Sequence, residues 1–453
     1  MQRIGIYGGT FNPPHLGHIR GAQCATDALG LDTLLLIPDR IAPHKQIPEG
    51  SPSPEQRMEM LQIAAAGVEK LQVSDLELKR EGPSYTYITI AQVRELYPDA
   101  EIFLLMGTDM FLSFHTWRNA DRMLSQVTLS VMCRGDLDEK QQILTQKQIL
   151  ESQGGRVELV DNPIYEISSS DLRRLLIFGC AGSFLPEGVL DYIHKNKLYG
   201  TDRDYRNLPM EQLEQVVKSL LKPSRIPHVL GCRDTAVSLA KCWGADETDA
   251  ARAGILHDVT KAIDGPLQLT LCAEYGTILD DFSIRYPKTL HALTGSLVAD
   301  RVFGENEAVV TAICHHTTGR GGMGLLEKII YVADYIEPCR TLPGVDWLRY
   351  LAVTDLDAAL KKGLEMTLEH LVRQGSEVSP ATQQALDDLF AQNEQYGERM
   401  RAKDMEADSL RAEAGAVESQ TKEQEAAIAI LESTIAHHQE NIARSHAELA
   451  MFS

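Results

Sequence analysis

Short apolar runs alternate with stretches of helical periodicity over residues 1 to about 200. Residues 3–7, where Ile4 and Ile6 flank Gly5, read as a short buried strand. Residues 34–38, 102–106 and 129–132 (Leu-Leu-Leu-Ile-Pro, Ile-Phe-Leu-Leu-Met and Leu-Ser-Val-Met) read as three more. Helical patterns cover 16–29, 54–69, 87–97 and 139–153. Strands this continuously apolar are buried on both faces, so the alternation predicts a Rossmann-like, doubly wound α/β domain with a parallel sheet. In such sheets ligands bind beyond the carboxyl ends of the strands. After Leu198-Tyr199-Gly200 the pattern changes. Residues 201–207 are polar and read as a linker. From Leu208 the chain is helical with little strand signal, and Pro209 suits a helix first turn. The reading is therefore an α/β domain over 1–200, an all-α domain over 208–375 and a helical tail over 376–453.

The tail has fifteen acidic and six basic residues and is rich in Ala, Glu and Gln. Ile428, Ile435, Ile442 and Leu449 recur every seven residues, with Leu431 at a matching position. A weak coiled coil joining copies of the chain and a solvated acidic helix both fit. The whole chain, at 453 residues with a formal charge of −20, exceeds one typical domain. That charge argues against coating a nucleic acid, while leaving room for local basic pockets. Eight cysteines are scattered without a C-x-x-C pair, as expected of reduced thiols. With no leader pattern and no membrane-length apolar run, a soluble, cytoplasmic protein without a membrane partner is expected.

Candidate chemistry begins at Gly8-Gly9-Thr10-Phe11-Asn12-Pro13-Pro14-His15-Leu16-Gly17-His18. A strand feeding a glycine-rich turn into a helix aims backbone N–H groups and the positive helix end at one point. His15 and His18, three apart, can face that point. An ordinary βα turn is the bland alternative. Further signals follow other strands: Lys45 after Pro43-His44, the hydroxyl run Ser84-Tyr85-Thr86, Gly107 with Asp109, and Trp117-Arg118. Ile167-Ser168-Ser169-Ser170-Asp171-Leu172-Arg173 places three hydroxyls at a helix start, with Arg173 three residues beyond Ser170.

This stretch resembles the HxGH signature of the nucleotidyltransferase superfamily. Over nearly all of residues 1–199 the chain is similar to bacterial nicotinate-nucleotide adenylyltransferases, although Asn12 stands where that family usually carries Asp. The resemblance implies transfer of AMP from ATP to nicotinate mononucleotide, giving deamido-NAD and pyrophosphate, with Mg²⁺ carried by ATP. It implies that Gly8, Gly9, Thr10, Phe11, His15, His18 and the segment Ile167 to Arg173 grip ATP. Thr86 and Trp117, with Ser84, Tyr85, Gly107 and Arg118 around them, would hold the nicotinate nucleotide. Asp109 would lie at the nucleotide junction, and Lys45 and Arg134 near the phosphates, although Arg134 is followed by Gly135-Asp136. Nicotinamide mononucleotide or phosphopantetheine is the alternative acceptor.

In the helical half, His228, His257-Asp258, His291, His316 and Asp334 are spread over five predicted helices or their ends. His257 and Asp258 lie about 100° apart if both are helical, so both can reach one metal. Asp334 interrupts the apolar run 329–333, where a carboxylate is costly unless paired or bound to a metal. The order H…HD…D is that of the HD phosphohydrolase superfamily. The runs 254–261, 316–319 and 331–338 resemble bacterial HD-domain symmetrical bis(5′-nucleosyl)-tetraphosphatases over about 208–374. That resemblance implies the metal ligands His228, His257, Asp258, His291, His316 and Asp334, with His315 an additional candidate. It also implies hydrolysis of dinucleoside polyphosphates, diadenosine tetraphosphate giving two ADP, with Asp258 and Lys261 in the reaction. Six N/O ligands suit a two-metal site, and histidine with carboxylate suits Fe, Mn or Zn, the resemblance favouring iron. Another nucleotide phosphohydrolase or a nucleotide sensor is the competing reading.

Overall fold

The computed structural model describes residues 1–43, 47–133, 137–161 and 167–450. Six strands, β1 (Arg3–Gly9), β2 (Thr33–Pro38), β3 (Leu71–Val73), β4 (Glu101–Gly107), β5 (Thr128–Cys133) and β6 (Arg156–Asp161), form one sheet. Its order is β3-β2-β1-β4-β5-β6 and every neighbouring pair is parallel. Connections run outward on either side of β1 and β4, so the order reverses between these two central strands. That is where a doubly wound sheet opens a crevice at its carboxyl edge. Gly5 permits the sheet's close packing here, because a Cβ would lie 2.4 Å from Leu34 Cδ1.

The four strands expected from the apolar runs are all present. β3 and β6 have no such run. β3 is three residues long, and β6 is an edge strand in which exposed Arg156, Glu158 and Asp161 break the apolar pattern. The covering helices are α1 (Leu16–Ala28), α2 (Pro54–Ala65), α3 (Thr86–Leu96), α4 (Thr108–Leu112), α5 (Ala120–Leu124), α6 (Leu137–Ser152), α7 (Ser169–Ile177) and α8 (Val189–Lys195). Helix α2 begins at a capping Ser53, which accepts from the Gln56 N–H, and stops four residues before the expected end. The backbone turns there, with Gly67 at φ 75°. The sheet side chains Ile4, Ile6, Leu104 and Val131 meet Phe111 and Phe114 in the core.

Beyond β6 the described chain is helical: α9 (Met210–Leu220), α10 (Ile226–Trp243), α11 (Glu247–Leu256), α12 (Gly265–Glu274), α13 (Asp281–Arg285), α14 (Leu290–Arg301), α15 (Glu307–His315), α16 (Leu325–Ile336), α17 (Val345–Thr354), α18 (Leu356–Arg373) and α19 (Pro380–Ala450). Pro209 sits one position before α9. Residues 201–207 lack regular structure yet are anchored. The Asn207 N–H donates to Phe303 O at 2.9 Å, and the buried Tyr205 ring meets the Phe303 ring edge-on.

Contacts divide the chain into one unit of Met1–Gly319 with Gly324–Gly363 and another of Arg320–Met323 with Leu364–Ser453. Within the second unit, α19 runs for 71 residues, with Leu410, Val417, Ile428, Leu431 and Ile435 exposed. Among the described residues no helix is long and apolar enough to cross a membrane.

Candidate functional site

The front cleft opens at the carboxyl ends of β1 and β4 and has a volume of about 340 Å³. Gly8, Gly9, Thr10 and Phe11 line it as β1 leaves the sheet. The loop's shape is set from beneath by Arg57 of α2, which is fully buried. Its guanidinium donates to Thr10 O at 2.5 Å, to Asp39 Oδ1 at 3.0 Å and to Asp39 O at 2.7 Å. Thr10 Oγ1 donates to the other Asp39 oxygen at 2.8 Å. The turns after β1 and β2 are thereby tied together. Asn12 adds further ties, donating to Ser51 Oγ and accepting from Tyr199 OH at 2.8 Å.

Helix α1 starts at His15, whose N–H donates to His18 Nδ1 at 3.2 Å. Because Nδ1 accepts, the His18 proton resides on Nε2. The two rings lie 3.6 Å apart between centroids; His18 reaches the cleft, whereas His15 is buried behind it. Across the mouth, Ser168 caps α7 by accepting from the Asp171 N–H. Ser169 lines the cleft and donates to Pro13 O at 3.1 Å. Arg173 Nη1 donates to Asn12 O at 2.7 Å and Nη2 to Ser170 Oγ at 3.0 Å. Both partners are neutral oxygens, and burial pulls the guanidinium below its usual range. A half-buried cation with no carboxylate partner among the described residues is poised for an anion.

Ser84, Tyr85, Thr86, Gly107, Trp117 and Arg118 also line this cleft. Thr86 opens α3, Arg118 lies over the Tyr85 ring at 5.1 Å, and Trp117 packs near Phe114. These groups make a flat-ring wall beside hydroxyls. Asp109 falls on the exposed first turn of α4 and is absent from the lining, as are Ile167, Ser168 and Ser170. Lys45 and Arg134 lie outside the described residues. Sequence reasoning missed Arg57, Asp39 and Glu77. Glu77 is a buried carboxyl in the cleft that accepts from Thr89 Oγ1, and burial pushes its pKa up.

A second cluster forms where α10, α11, α14, α15 and α16 converge. His228 comes from α10, His291 from α14 and Asp334 from α16, while His257 and His316 cap α11 and α15. Asp258 lies in the turn after α11 rather than on the expected helical face. Tighter bonds from the Val259 N–H to Leu256 O and the Lys261 N–H to Asp258 O close that turn. Each histidine has Nδ1 held by an acceptor: Glu337 Oε1 for His228 at 3.0 Å, and the carbonyls of Gly254, Lys288 and Ile313 for His257, His291 and His316. Carbonyls only accept, so Nδ1 carries the proton in these three rings and Nε2 is the ligand-competent atom.

The Nε2 atoms converge. His228 Nε2 lies 3.2 Å from His257 Nε2 and 3.1 Å from Asp334 Oδ1. Asp258 Oδ1 lies 3.4 Å from His291 Nε2 and 3.7 Å from His316 Nε2. Two ligand-sized groups result, His228–His257–Asp334 and His257–Asp258–His316. Asp258 Oδ1 and His316 Nε2 are buried without a hydrogen-bond partner among the described residues, which fits a pair of atoms that would ligate a cation. Burial opposes ionisation of Asp258, but His257, His316 and His291 hold its carboxyl well below the usual range. Burial, with His316 and Lys261 nearby, drops His291 to about 3. The deprotonated Asp258 carboxylate and the neutral His291 imidazole are forms that bind metal. Burial opposes the charge on His257, but Cys232 and Asp258 raise its pKa well above the usual range, and metal binding would release that proton.

Three cations border the cluster: Arg225 pairs with Asp258, Arg340 with Asp334 at 2.5 Å, and Lys261 Nζ lies 2.9 Å from His291 Nε2. Arg225 and Arg340 lie outside every motif read from the sequence, and Glu337 falls inside the run 331–338 without a role assigned to it. His315, the additional candidate, ends α15 and falls in neither ligand group.

Residues 6–175 match the cytidylyltransferase-like family, and residues 225–339 match the HD domain. The class is thus a nucleotidyltransferase-type sheet domain fused to an HD-type, histidine–aspartate helical domain. The chain is 37% identical over 210 residues to the probable nicotinate-nucleotide adenylyltransferase of Pseudomonas fluorescens, covering 44% of this chain and 97% of that protein. It is 38% identical over 201 residues to the one of Geobacillus thermodenitrificans, covering 44% and 87%. Through its front part the chain belongs to the nicotinate-nucleotide adenylyltransferase family.

Among solved structures, a predicted HD superfamily hydrolase involved in NAD metabolism from Clostridium acetobutylicum is 38% identical, with a TM-score of 0.40, covering 41% of this chain and 98% of that one. The Plasmodium falciparum nicotinic acid mononucleotide adenylyltransferase complexed with NaAD is 20% identical, with a TM-score of 0.37, covering 44% and 98%.

Proposed function

We propose that the front cleft transfers the adenylyl group of ATP to the 5′-phosphate of nicotinate mononucleotide, and that the histidine–aspartate centre hydrolyses diadenosine tetraphosphate to two ADP. The observation carrying the first reading is that His18, Ser169 and Arg173 share one cleft with Tyr85, Thr86 and Trp117. Phosphate-holding and ring-holding groups then act on the two parts of one nucleotide pair, and the relatives' name agrees. A phosphate oxygen of the mononucleotide attacks the α-phosphorus. The bond from that phosphorus to the bridging oxygen breaks, and the electron pair leaves on pyrophosphate. No protein nucleophile is needed, so positioning and charge neutralisation carry the catalysis. His18 donates its Nε2 proton as a hydrogen bond to the reacting phosphate, and Arg173 faces the growing charge. His15 orients His18, and Ser168 and Ser170 order the start of α7. The resemblance assigns charge near the phosphates to Lys45 and Arg134, which lie outside the described residues, and the nucleotide junction to Asp109, and Mg²⁺ would enter with ATP.

The second reading is carried by the two ligand-sized groups, His228–His257–Asp334 and His257–Asp258–His316, with His291 beside Asp258 though in neither group. They would hold one ion or two, of Fe, Mn or Zn, and such an ion supplies Lewis acidity toward a phosphoryl group. Glu337 orients His228. Lys261, Arg225 and Arg340 draw the polyphosphate towards the ligands. Water adds to phosphorus as the phosphoanhydride bridge breaks and ADP leaves with the electron pair. The functional division follows 1–200, 201–207, 208–375 and 376–453, with the tail joining copies of the chain. Free nucleotide substrates suit the cytoplasm.

The test is an assay panel on the full chain. ATP is offered with nicotinate mononucleotide, nicotinamide mononucleotide or phosphopantetheine. Diadenosine tetraphosphate is offered with Fe²⁺, Mn²⁺ or Zn²⁺. Deamido-NAD as the dominant product and ADP as the sole nucleotide product support the two readings. Preference for another acceptor refutes the first, and binding of the tetraphosphate without turnover refutes the second.

A further inference from the structure

A second cavity of about 870 Å³ adjoins the front cleft. Ligand sites span about 300–1,000 Å³, so the front cleft is at the small end and this one at the large end. The two linings share Pro48 and Arg173. Helix α7 straddles the boundary, because Ser169 lines only the front cleft and Ser170 only the second cavity. The Arg173 guanidinium sits at the junction, bonded to Asn12 O on one side and Ser170 Oγ on the other.

Arg203 extends the cationic lining, Arg174 beside it being paired with Asp171 at 2.8 Å, and Glu49 and Asp204 stand against them. The far wall is α9, outside the matched residues 6–175. It presents Gln212, Gln215 and Ser219 to the cavity. Its acidic side is turned elsewhere: Glu214 is bound by Lys218 and Arg233. Arg174 anchors this wall, its Nε donating to Leu220 O at 2.6 Å.

We propose that this second cavity is a diphosphate site, which receives the pyrophosphate leaving the front cleft past Arg173 and which α9 helps to form. The inference rests on the adenylyltransferase reading for the source of the diphosphate, and on the cavity alone for its chemistry. When the phosphoanhydride bond to the α-phosphorus breaks, the two departing phosphoryl groups lie towards Arg173. Pyrophosphate affinity is then a property of the whole chain, tunable from a helix that carries none of the adenylyl-transfer groups.

The test uses the full chain with Gln215→Glu and Gln215→Arg. Inorganic pyrophosphate, and separately ADP, are titrated by calorimetry, and product inhibition by pyrophosphate is measured during adenylyl transfer. A unit charge facing a multiply charged anion across a hydrated cavity changes affinity about three- to tenfold. Gln215→Glu should weaken pyrophosphate binding and raise its inhibition constant by that factor, and Gln215→Arg should do the reverse. A folding defect cannot produce opposite signs at one position. Equal affinity in all three proteins, within twofold, overturns the proposal even if deamido-NAD is made. Charge-dependent pyrophosphate binding without any adenylyl transfer would keep the site and sink the reading of the front cleft. If ADP responds to both substitutions and pyrophosphate does not, the leaving-group assignment is overturned.

Discussion

Glu337→Gln should weaken metal binding at the histidine–aspartate centre about 10–100-fold. The Glu337 side chain is 1% exposed. Its Oε1 accepts from His228 Nδ1 at 3.0 Å, and its Oε2 accepts from the Cys339 N–H at 2.7 Å. Glutamine keeps the volume and can offer one oxygen, but its NH₂ then opposes either the imidazole N–H or the Cys339 N–H. One hydrogen bond is lost in either orientation. A bond to a charged group contributes about 1.5–3 kcal/mol, against about 0.5–1.5 for a neutral one. One bond lost and the other weakened amount to about 2.5–4.5 kcal/mol in the support of His228, of which the part that reaches metal affinity is about 1.4–2.8 kcal/mol, the 10–100-fold typical of such partners.

The effect passes through His228, whose Nε2 must stay 3.1 Å from Asp334 Oδ1 and 3.2 Å from His257 Nε2. Calorimetry with Mn²⁺ on the full chain reads it directly. Tetraphosphate hydrolysis should fall by the same factor at limiting metal and recover at saturating metal, while adenylyl transfer stays at the parent rate. Metal affinity within twofold of the parent would refute the argument that Glu337 orients a ligand.

His18→Ala should reduce adenylyl transfer at least tenfold, since removing one preorganised donor typically costs about 10²–10³ in turnover; product formation under saturating ATP checks it. Asp258→Ala should lose bound metal and hydrolysis while keeping adenylyl transfer, and joint loss of both activities would contradict two separate centres. Arg57→Met should destabilise the fold by about 3–5 kcal/mol, because it strands the buried Asp39 carboxylate without its partner; thermal melts with and without ATP test this. Burial raises the Glu77 pKa, so the folded state binds that proton more tightly than the unfolded chain. Stability is therefore lost as pH climbs through the raised value, and Glu77→Gln should gain melting temperature over the parent progressively above the ordinary carboxylate range. A gap that does not change with pH would count against it.

What the amino-acid order alone determined was local or periodic. Continuous apolar runs mark β1, β2, β4 and β5 because central parallel strands are buried on both faces. The Gly8–His18 stretch shows its chemistry because loop, cap and helix start are contiguous. The H…HD…D series identified residues from five helices, of which His257, Asp258, His316, His228 and Asp334 meet in the two ligand groups. Tertiary structure decided everything that joins distant segments. Arg173 finds Asn12 across 161 residues, Tyr199 finds it across 187, and His228 finds Glu337 across 109. None of these pairs has a period or spacing that could reveal it. β3 and β6 were hidden for a related reason: short or edge strands are held by their neighbours' backbone hydrogen bonds, not by an apolar run of their own. Asp258 shows the limit within a motif, since a pattern places it beside His257, while the end of α11 decides which way its carboxylate faces.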